Sequence, residues 1–171
     1  MTVRSRGFED LDARTAYDVW RLRQDVFVVE QQCPYPDLDG HDFEPGTRHV
    51  TLEVDGELAG YLRILDPSTS SGTGEGSGTG EGSGTGEGSG AAEGSGAAEV
   101  RIGRVLLARA FRGRGLADRL MEAALEEVGE RPSRLDAQVP LAGWYATYGY
   151  VVVGAEFLDD GIPHVPMARP G

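Results

Sequence analysis

The stretch Val105-Leu-Leu-Ala-Arg-Ala-Phe-Arg-Gly-Arg-Gly-Leu-Ala117 decides how this chain reads. An apolar strand runs into a turn carrying Gly113 and Gly115, and a helix starts directly after it. A helix start leaves backbone N–H groups unpaired and carries partial positive charge. Glycines let the backbone approach an anion with no Cβ in the way. The segment therefore points to a phosphorylated, nucleotide-like ligand. It is not a P-loop, which needs Gly-Lys-Ser/Thr. Nor is it the dinucleotide fingerprint, because the glycine spacing differs and no acidic residue follows a second parallel strand.

Outward from the turn, Val100 to Leu107 is rich in strand formers, and Leu116 to Val128 reads as helix. Leu116, Leu120, Ala124, Leu125 and Val128 make one apolar stripe, with Asp118, Arg119, Glu122 and Glu126 opposite. Leu135 to Val139 predicts a short strand, and Ala142 to Tyr148 a short helix closed by Gly149. Tyr150 to Leu158 and His164 to Ala168 predict strands around Asp159-Asp160-Gly161. On the other side, Phe8 to Leu11 predicts a short strand. Thr15 to about Val28 predicts a helix, with Thr15 and Asp18 resembling a capping box and Ala16, Val19, Trp20, Arg23 and Phe27 at helical spacing. Arg48 to Val54 and Leu58 to Leu65 alternate around Asp55-Gly56, a hairpin signal. The expected order is β–α–β–β–insertion–β–α–β–α–β–β, an α/β sandwich on a mixed sheet.

The insertion is an oddity. From Ser71 the chain reads Ser-Gly-Thr-Gly-Glu-Gly three times, then Ser-Gly-Ala-Ala-Glu-Gly, then Ser-Gly-Ala-Ala-Glu99. It holds no aromatic residue and nothing aliphatic larger than Ala, so it buries too little to offset chain entropy. The expectation is a disordered Gly/Ser/Thr/Glu loop over about residues 68–98, between the third and fourth strands. Closing a longer loop costs little extra, so the flanking sequence makes one domain spanning 1–171.

Composition narrows the partners. The chain has 171 residues and a formal net charge of −12, a surface that repels nucleic acid and anionic membrane. There is no apolar run of about 18 residues, and Met1 to Asp10 lacks the apolar region of a secretory signal. A lone cysteine, Cys33, excludes an internal disulfide and a multi-cysteine metal site. A cytoplasmic location is expected.

In this context the chain resembles the GCN5-related N-acetyltransferase (GNAT) superfamily. Arg104-Val-Leu-Leu107, the turn Arg112-Gly-Arg-Gly-Leu-Ala117 and the helix after it are similar to the family's acetyl-CoA motif. Trp144-Tyr-Ala-Thr-Tyr-Gly-Tyr150 is similar to its Phe-Tyr-x-x-x-Gly-Phe motif. Val26 to Gly40, Arg48-His49, Ile102-Gly-Arg-Val105 and Asp160-Gly-Ile-Pro-His164 resemble the ElaA-like branch, from whose short β3–β4 connection the insertion departs.

The resemblance implies a mixed, mostly antiparallel sheet flanked by helices, and transfer of acetyl from acetyl-CoA to an amine acceptor without a metal. Backbone groups of Val105, Leu106 and Leu107 would pair with the pantetheine arm, and an N–H near Leu107 would stabilise the oxyanion. Amides from Gly113 through Arg114, Gly115 and Leu116 to Ala117 would hold the pyrophosphate, with Arg112 and Arg114 close by. Tyr145 is placed as the general acid that protonates the leaving thiolate.

The general base stays open. His49 and His164 titrate in the right range, and Glu30, Asp37 and Asp39 are carboxylate options; His164, inside a family-like motif, is the base adopted. Tyr148 and Tyr150 read as core. Cys33 has no readable base partner and reads as a small buried residue or idle thiol. A non-catalytic acyl-CoA sensor of the same fold, and an interaction protein working through the repeat, are the competing readings. Exposed sheet edges leave room for a homodimer.

Overall fold

The computed structural model describes residues 1–69 and 99–171. Its strands are β1 (Thr2–Arg6), β2 (Arg48–Val54), β3 (Glu57–Leu65), β4 (Val100–Leu107), β5 (Ser133–Gln138), β6 (Val151–Val152), β7 (Phe157–Asp159) and β8 (Ile162–Arg169). Its α-helices are α1 (Ala13–Arg23), α2 (Leu116–Val128) and α3 (Ala142–Ala146). The strands form one sheet in the order β1-β2-β3-β4-β5-β8-β6, with β7 also on β8. Among the described residues only the β4–β5 pair is parallel. The mixed, mostly antiparallel sheet is thus the expected one. Residues 70–98 join β3 to β4 in the chain, and the expected disorder of the repeat lies outside the described residues.

Asp55 and Gly56 between β2 and β3 have φ of 52° and 84°, the left-handed pair that matches the twist of a tight hairpin. Alternation along β2 and β3 then gives the sheet two faces. Val50, Leu52, Leu62 and Ile64 meet Leu120, Met121, Ala124 and Val128 of α2. On the other face Tyr61 meets Val19, Leu22 and Val26, from α1 and the helical turn beyond it.

Several local expectations shift. The first strand is Thr2–Arg6, paired with β2, whereas Phe8–Asp10 is a single 3-10 turn. Phe8 packs its ring on Trp20 and Phe43 instead of entering the ladder. The α1 cap is Asp12, not Thr15: Asp12 Oδ1 accepts from the N–H groups of Arg14 and Thr15, each at 3.0 Å, and Oδ2 accepts from Thr15 Oγ1 at 2.6 Å. After Arg23 the helix widens to a π-helical segment, Gln24–Glu30. The single strand expected over Tyr150 to Leu158 is broken into β6 and β7. Pro163 and Pro166 of the partner strand β8 have no N–H to donate, and a Cβ on Gly154 would lie 2.7 Å from Pro166 Cγ. Val153 rejoins the ladder through its N–H to Pro166 O at 2.9 Å.

Candidate active site

β4 and β5 pair only at Val100–Ser133 and Arg101–Arg134. Beyond these pairs β4 keeps its bonds to β3, and β5 keeps its bonds to β8, but the two no longer meet. Facing edges of unpaired peptide groups open onto a cleft of about 980 Å³. Val105, Leu106, Leu107, Leu135 and Gln138 line it, with Phe27, Glu30, Cys33, Asp39 and Arg63 from the α1 side. Tyr145, Asp160 and His164 line it as well.

A bulge shapes the β4 wall. Tyr61 opposes Leu106 and Arg63 opposes Gly103, so β4 holds one residue more than β3 between these pairs, and Arg104 takes φ of 53°. The extra residue inverts the alternation. Val100 and Ile102 pack towards α2, yet Leu106, at an even spacing from them, packs towards α1. Val105 and Leu107 take over the α2 face. At the strand end Gly60 opposes Leu107, and a Cβ there would meet Leu107 Cδ2 at 2.4 Å and Leu120 Cδ1 at 2.9 Å.

The bulge is held from outside the sheet. Asp37 Oδ1 accepts from Arg104 Nε at 2.6 Å, and Asp37 Oδ2 accepts from Arg23 Nε at 2.7 Å. Arg23 Nη1 reaches Asp42 at 2.6 Å. Arg63 forks onto both oxygens of Asp39, at 2.7 and 2.6 Å, and also reaches Asp42 at 3.0 Å. Burial alone would raise the Asp39 carboxyl, but the hydrogen bonds and charge of Arg63 outweigh it and hold it well below the usual carboxylate range. This network ties the segment 31–47 to β3 and β4. Sequence reasoning missed it; Arg23 amid apolar positions on the first helix was the one signal that pointed there.

The glycine turn follows β4 as expected. Gly113 and Gly115 have φ of 73° and 69°, positions where a Cβ would be strained. Gly115 is the N-cap of α2, with no side chain to occupy the first amides. Of the expected diphosphate residues, Arg112 and Ala117 line the cleft, whereas Gly113, Arg114, Gly115 and Leu116 form the turn and helix start beside it. Arg114 has its guanidinium 5.5 Å from the Phe111 ring centroid and no carboxylate partner among the described residues.

Tyr145 is 5% exposed, and its hydroxyl bonds to no group among the described residues. Burial pushes this phenol up, with the neighbouring Tyr150 adding to the shift, so it stays protonated. Its helix is pinned by Asp118, whose Oδ1 accepts from Trp144 Nε1 at 2.8 Å and Tyr148 Oη at 2.6 Å. Tyr148 is therefore half-buried beside α2, and Tyr150 is core, bonded to Ser133 Oγ at 2.8 Å.

His164 Nδ1 lies 2.8 Å from Ile162 O. A carbonyl only accepts, so Nδ1 carries hydrogen and Nε2 is the ring nitrogen left over. His49, by contrast, is fully buried between Tyr61 Oη and Asp42 O, each at 2.8 Å, and does not line the cleft. Burial also depresses its pKa. It is a structural histidine. The carboxylates of Glu30, Asp37 and Asp39 all lie on arginines. Cys33 is buried, with Sγ 3.4 Å from Gln31 O and 3.6 Å from Asp160 O. Among the described residues no cluster of metal-ligating side chains occurs, and no helix is long and apolar enough to cross a membrane.

Comparison with known proteins agrees with this geometry. Residues 85–169 match the model of the acetyltransferase (GNAT) domain. A UPF0039 protein of Mycobacterium tuberculosis is 47% identical over 95% of this chain and 89% of its own length. Protein ElaA of Escherichia coli is 32% identical over 94% of this chain and 90% of its own. Among solved structures, an acyl-CoA N-acyltransferase from Pseudomonas aeruginosa superposes with a TM-score of 0.78, at 35% identity over 98% of both chains. The E. coli ElaA crystal structure superposes with a TM-score of 0.77, at 30% identity over 98% of both chains. A split parallel strand pair beside a glycine turn, in a chain this similar to acyl-CoA N-acyltransferases over nearly its full length, belongs to the GNAT superfamily of acyltransferases, in its ElaA-like UPF0039 branch.

Proposed function

We propose that this acyltransferase moves the acetyl group of acetyl-CoA to a primary amine by direct attack within a ternary complex. The observation that carries the reading is the parting of β4 from β5 after Arg101 and Arg134. It leaves a strand edge over Val105, Leu106 and Leu107 unpaired with β5, where the amide-bearing pantetheine arm can add as a peptide adds to a sheet. Gly113 to Ala117 offer amides to the diphosphate, with Arg112 and Arg114 alongside. The thioester supplies an activated acyl carbon and a thiolate leaving group.

The protein's part is proton handling and orientation. His164 Nε2 takes a proton from the acceptor's ammonium, so that the nitrogen lone pair can attack the thioester carbon. As the carbon–sulfur bond breaks, the Tyr145 hydroxyl, kept protonated by burial, donates to the departing sulfur, and the tyrosinate regains a proton from the acylated nitrogen, which becomes the neutral amide. Cys33, enclosed and facing two carbonyl oxygens, is poorly placed to carry the acyl group, which favours direct attack.

Release of free CoA thiol from acetyl-CoA across a panel of amines tests this, with calorimetry of acetyl-CoA binding alongside. Tyr145→Phe is expected to lower kcat about a hundredfold or more while leaving acetyl-CoA affinity intact. Binding without amine-dependent release would instead establish an acyl-CoA sensor of the same fold.

A further inference from the structure

Arg112 is the first residue of the glycine turn, and its guanidinium is already engaged. Nη1 and Nη2 fork onto Glu30 Oε1 and Oε2 at 2.5 and 2.9 Å, and Nε donates to Leu107 O at 3.0 Å. Glu30 closes the π-helical segment on the α1 side of the cleft, whereas Arg112 sits on the phosphate side. Both line the cavity. No two-donor edge of the guanidinium is left for a phosphate, yet paired donors are what arginine uses to grip one. The hydrogen bond and charge of Arg112 hold the Glu30 carboxyl below its ordinary range, so Glu30 remains an anion.

We infer that Glu30 is shared by the two substrate subsites: it competes with the CoA diphosphate for Arg112, and once displaced it holds the ammonium of the acceptor. The inference rests on the acetyl-CoA reading above. It makes Glu30 a positioning residue and sets the order of binding, thioester first and amine second. Before the diphosphate arrives the carboxylate is occupied by a guanidinium; afterwards it is an anion lining the cleft without a fixed cation. Asp39 on the same wall stays forked by Arg63 and bonded to Arg104. Linkage requires reciprocity, so an amine held by Glu30 strengthens CoA binding by the same factor.

Both partners are 40% exposed, which limits what their pairing is worth. Exposed ion pairs typically contribute up to about 1 kcal/mol, so removing the competitor tightens diphosphate binding by about two- to fivefold. The test uses Glu30→Gln in the full chain, with calorimetry of CoA and of pantetheine, which lacks the diphosphate. CoA is expected to bind the variant two- to fivefold tighter, and pantetheine equally to both proteins. With the best amine of the panel, KM for the amine is expected to rise about tenfold, with KM for acetyl-CoA falling. Unchanged CoA affinity, equal tightening of pantetheine, or an unchanged amine KM overturns the inference. A wild-type protein that binds no CoA, or releases none with any amine, overturns the functional reading beneath it. The unfolding midpoint of Glu30→Gln, expected to fall only by the small worth of the lost exposed ion pair, separates these outcomes from misfolding.

Discussion

The two faces of the sheet are built on different principles. Towards α2 the core carries no buried charge: Leu52, Leu62, Ile64, Ile102, Leu120 and Met121 are all essentially buried, and the polar pair Ser133–Tyr150 is neutral and bonded to itself. Towards α1 a small apolar cluster around Val19, Tyr61 and Leu106 borders a buried ionic lattice of Arg23, Arg63, Asp37 and Asp42. An apolar contact is held by area and tolerates changes of shape at constant volume. A buried ionic lattice is held by direction and stoichiometry, because each charge taken from water must be matched. The rigid, directional face is the one behind the bulge and the proposed acceptor wall.

Exchanging one residue for methionine on each face should break this contrast if it is false. Arg23→Met strands Asp37 and Asp42, each with one guanidinium fewer, and should cost about 3–5 kcal/mol in urea unfolding. Leu62→Met, equally buried on the apolar face, should cost less than about 1.5 kcal/mol. Similar losses at the two sites would show that the faces do not differ.

Gly60 sharpens the comparison where the apolar face meets the cleft. Gly60→Ala drives a methyl into Leu107, Leu120 and the Leu106 carbonyl, with closest approaches of 2.4 to 3.1 Å. An overpacking cost of about 1–3 kcal/mol is expected by chemical denaturation. Acetyl-CoA affinity should fall with it, because Leu107 ends the free strand edge. A variant as stable as the wild type would mean that β4 yields more easily than its packing indicates.

The smallest expected effect is a pH slope. Burial holds the His49 pKa below its usual 6.5, so the unfolded chain takes up the proton first as pH falls. The stability that neutral His49 contributes is therefore full above about pH 6.5 and is lost as pH drops towards its folded value. The slope is at most about 1.4 kcal/mol per pH unit for one proton. Thermal unfolding between pH 7.5 and 5 (roughly, the range set by that usual value) should show the decline, and His49→Gln should flatten it. An unchanged slope in the variant would assign the decline to other groups.

Much of this molecule was legible in one dimension. Period-two alternation placed β2 over Arg48–Val54, and the 3.6-residue stripe placed α2 over Leu116–Val128, because both patterns repeat locally along the chain. Gly113 and Gly115 announced the turn because a left-handed backbone selects glycine. The first strand was read at Phe8–Leu11 rather than Thr2–Arg6, since Phe8 looks strand-like but spends its ring on Trp20 and Phe43. His164 is preferred to His49 only through its motif, because composition carries no depth: the His49 side chain is fully buried, and His164 lines the cleft.

Local periodicity and turn chemistry thus determined the element order, the sheet class and the glycine turn, because they depend on neighbours within a few residues. Only the tertiary structure decided where β4 leaves β5, that Arg104 turns the strand over, and that Glu30 meets Arg112 across 82 positions of chain. Those outcomes come from contacts between distant segments, where charge matching and close packing settle what no local pattern encodes.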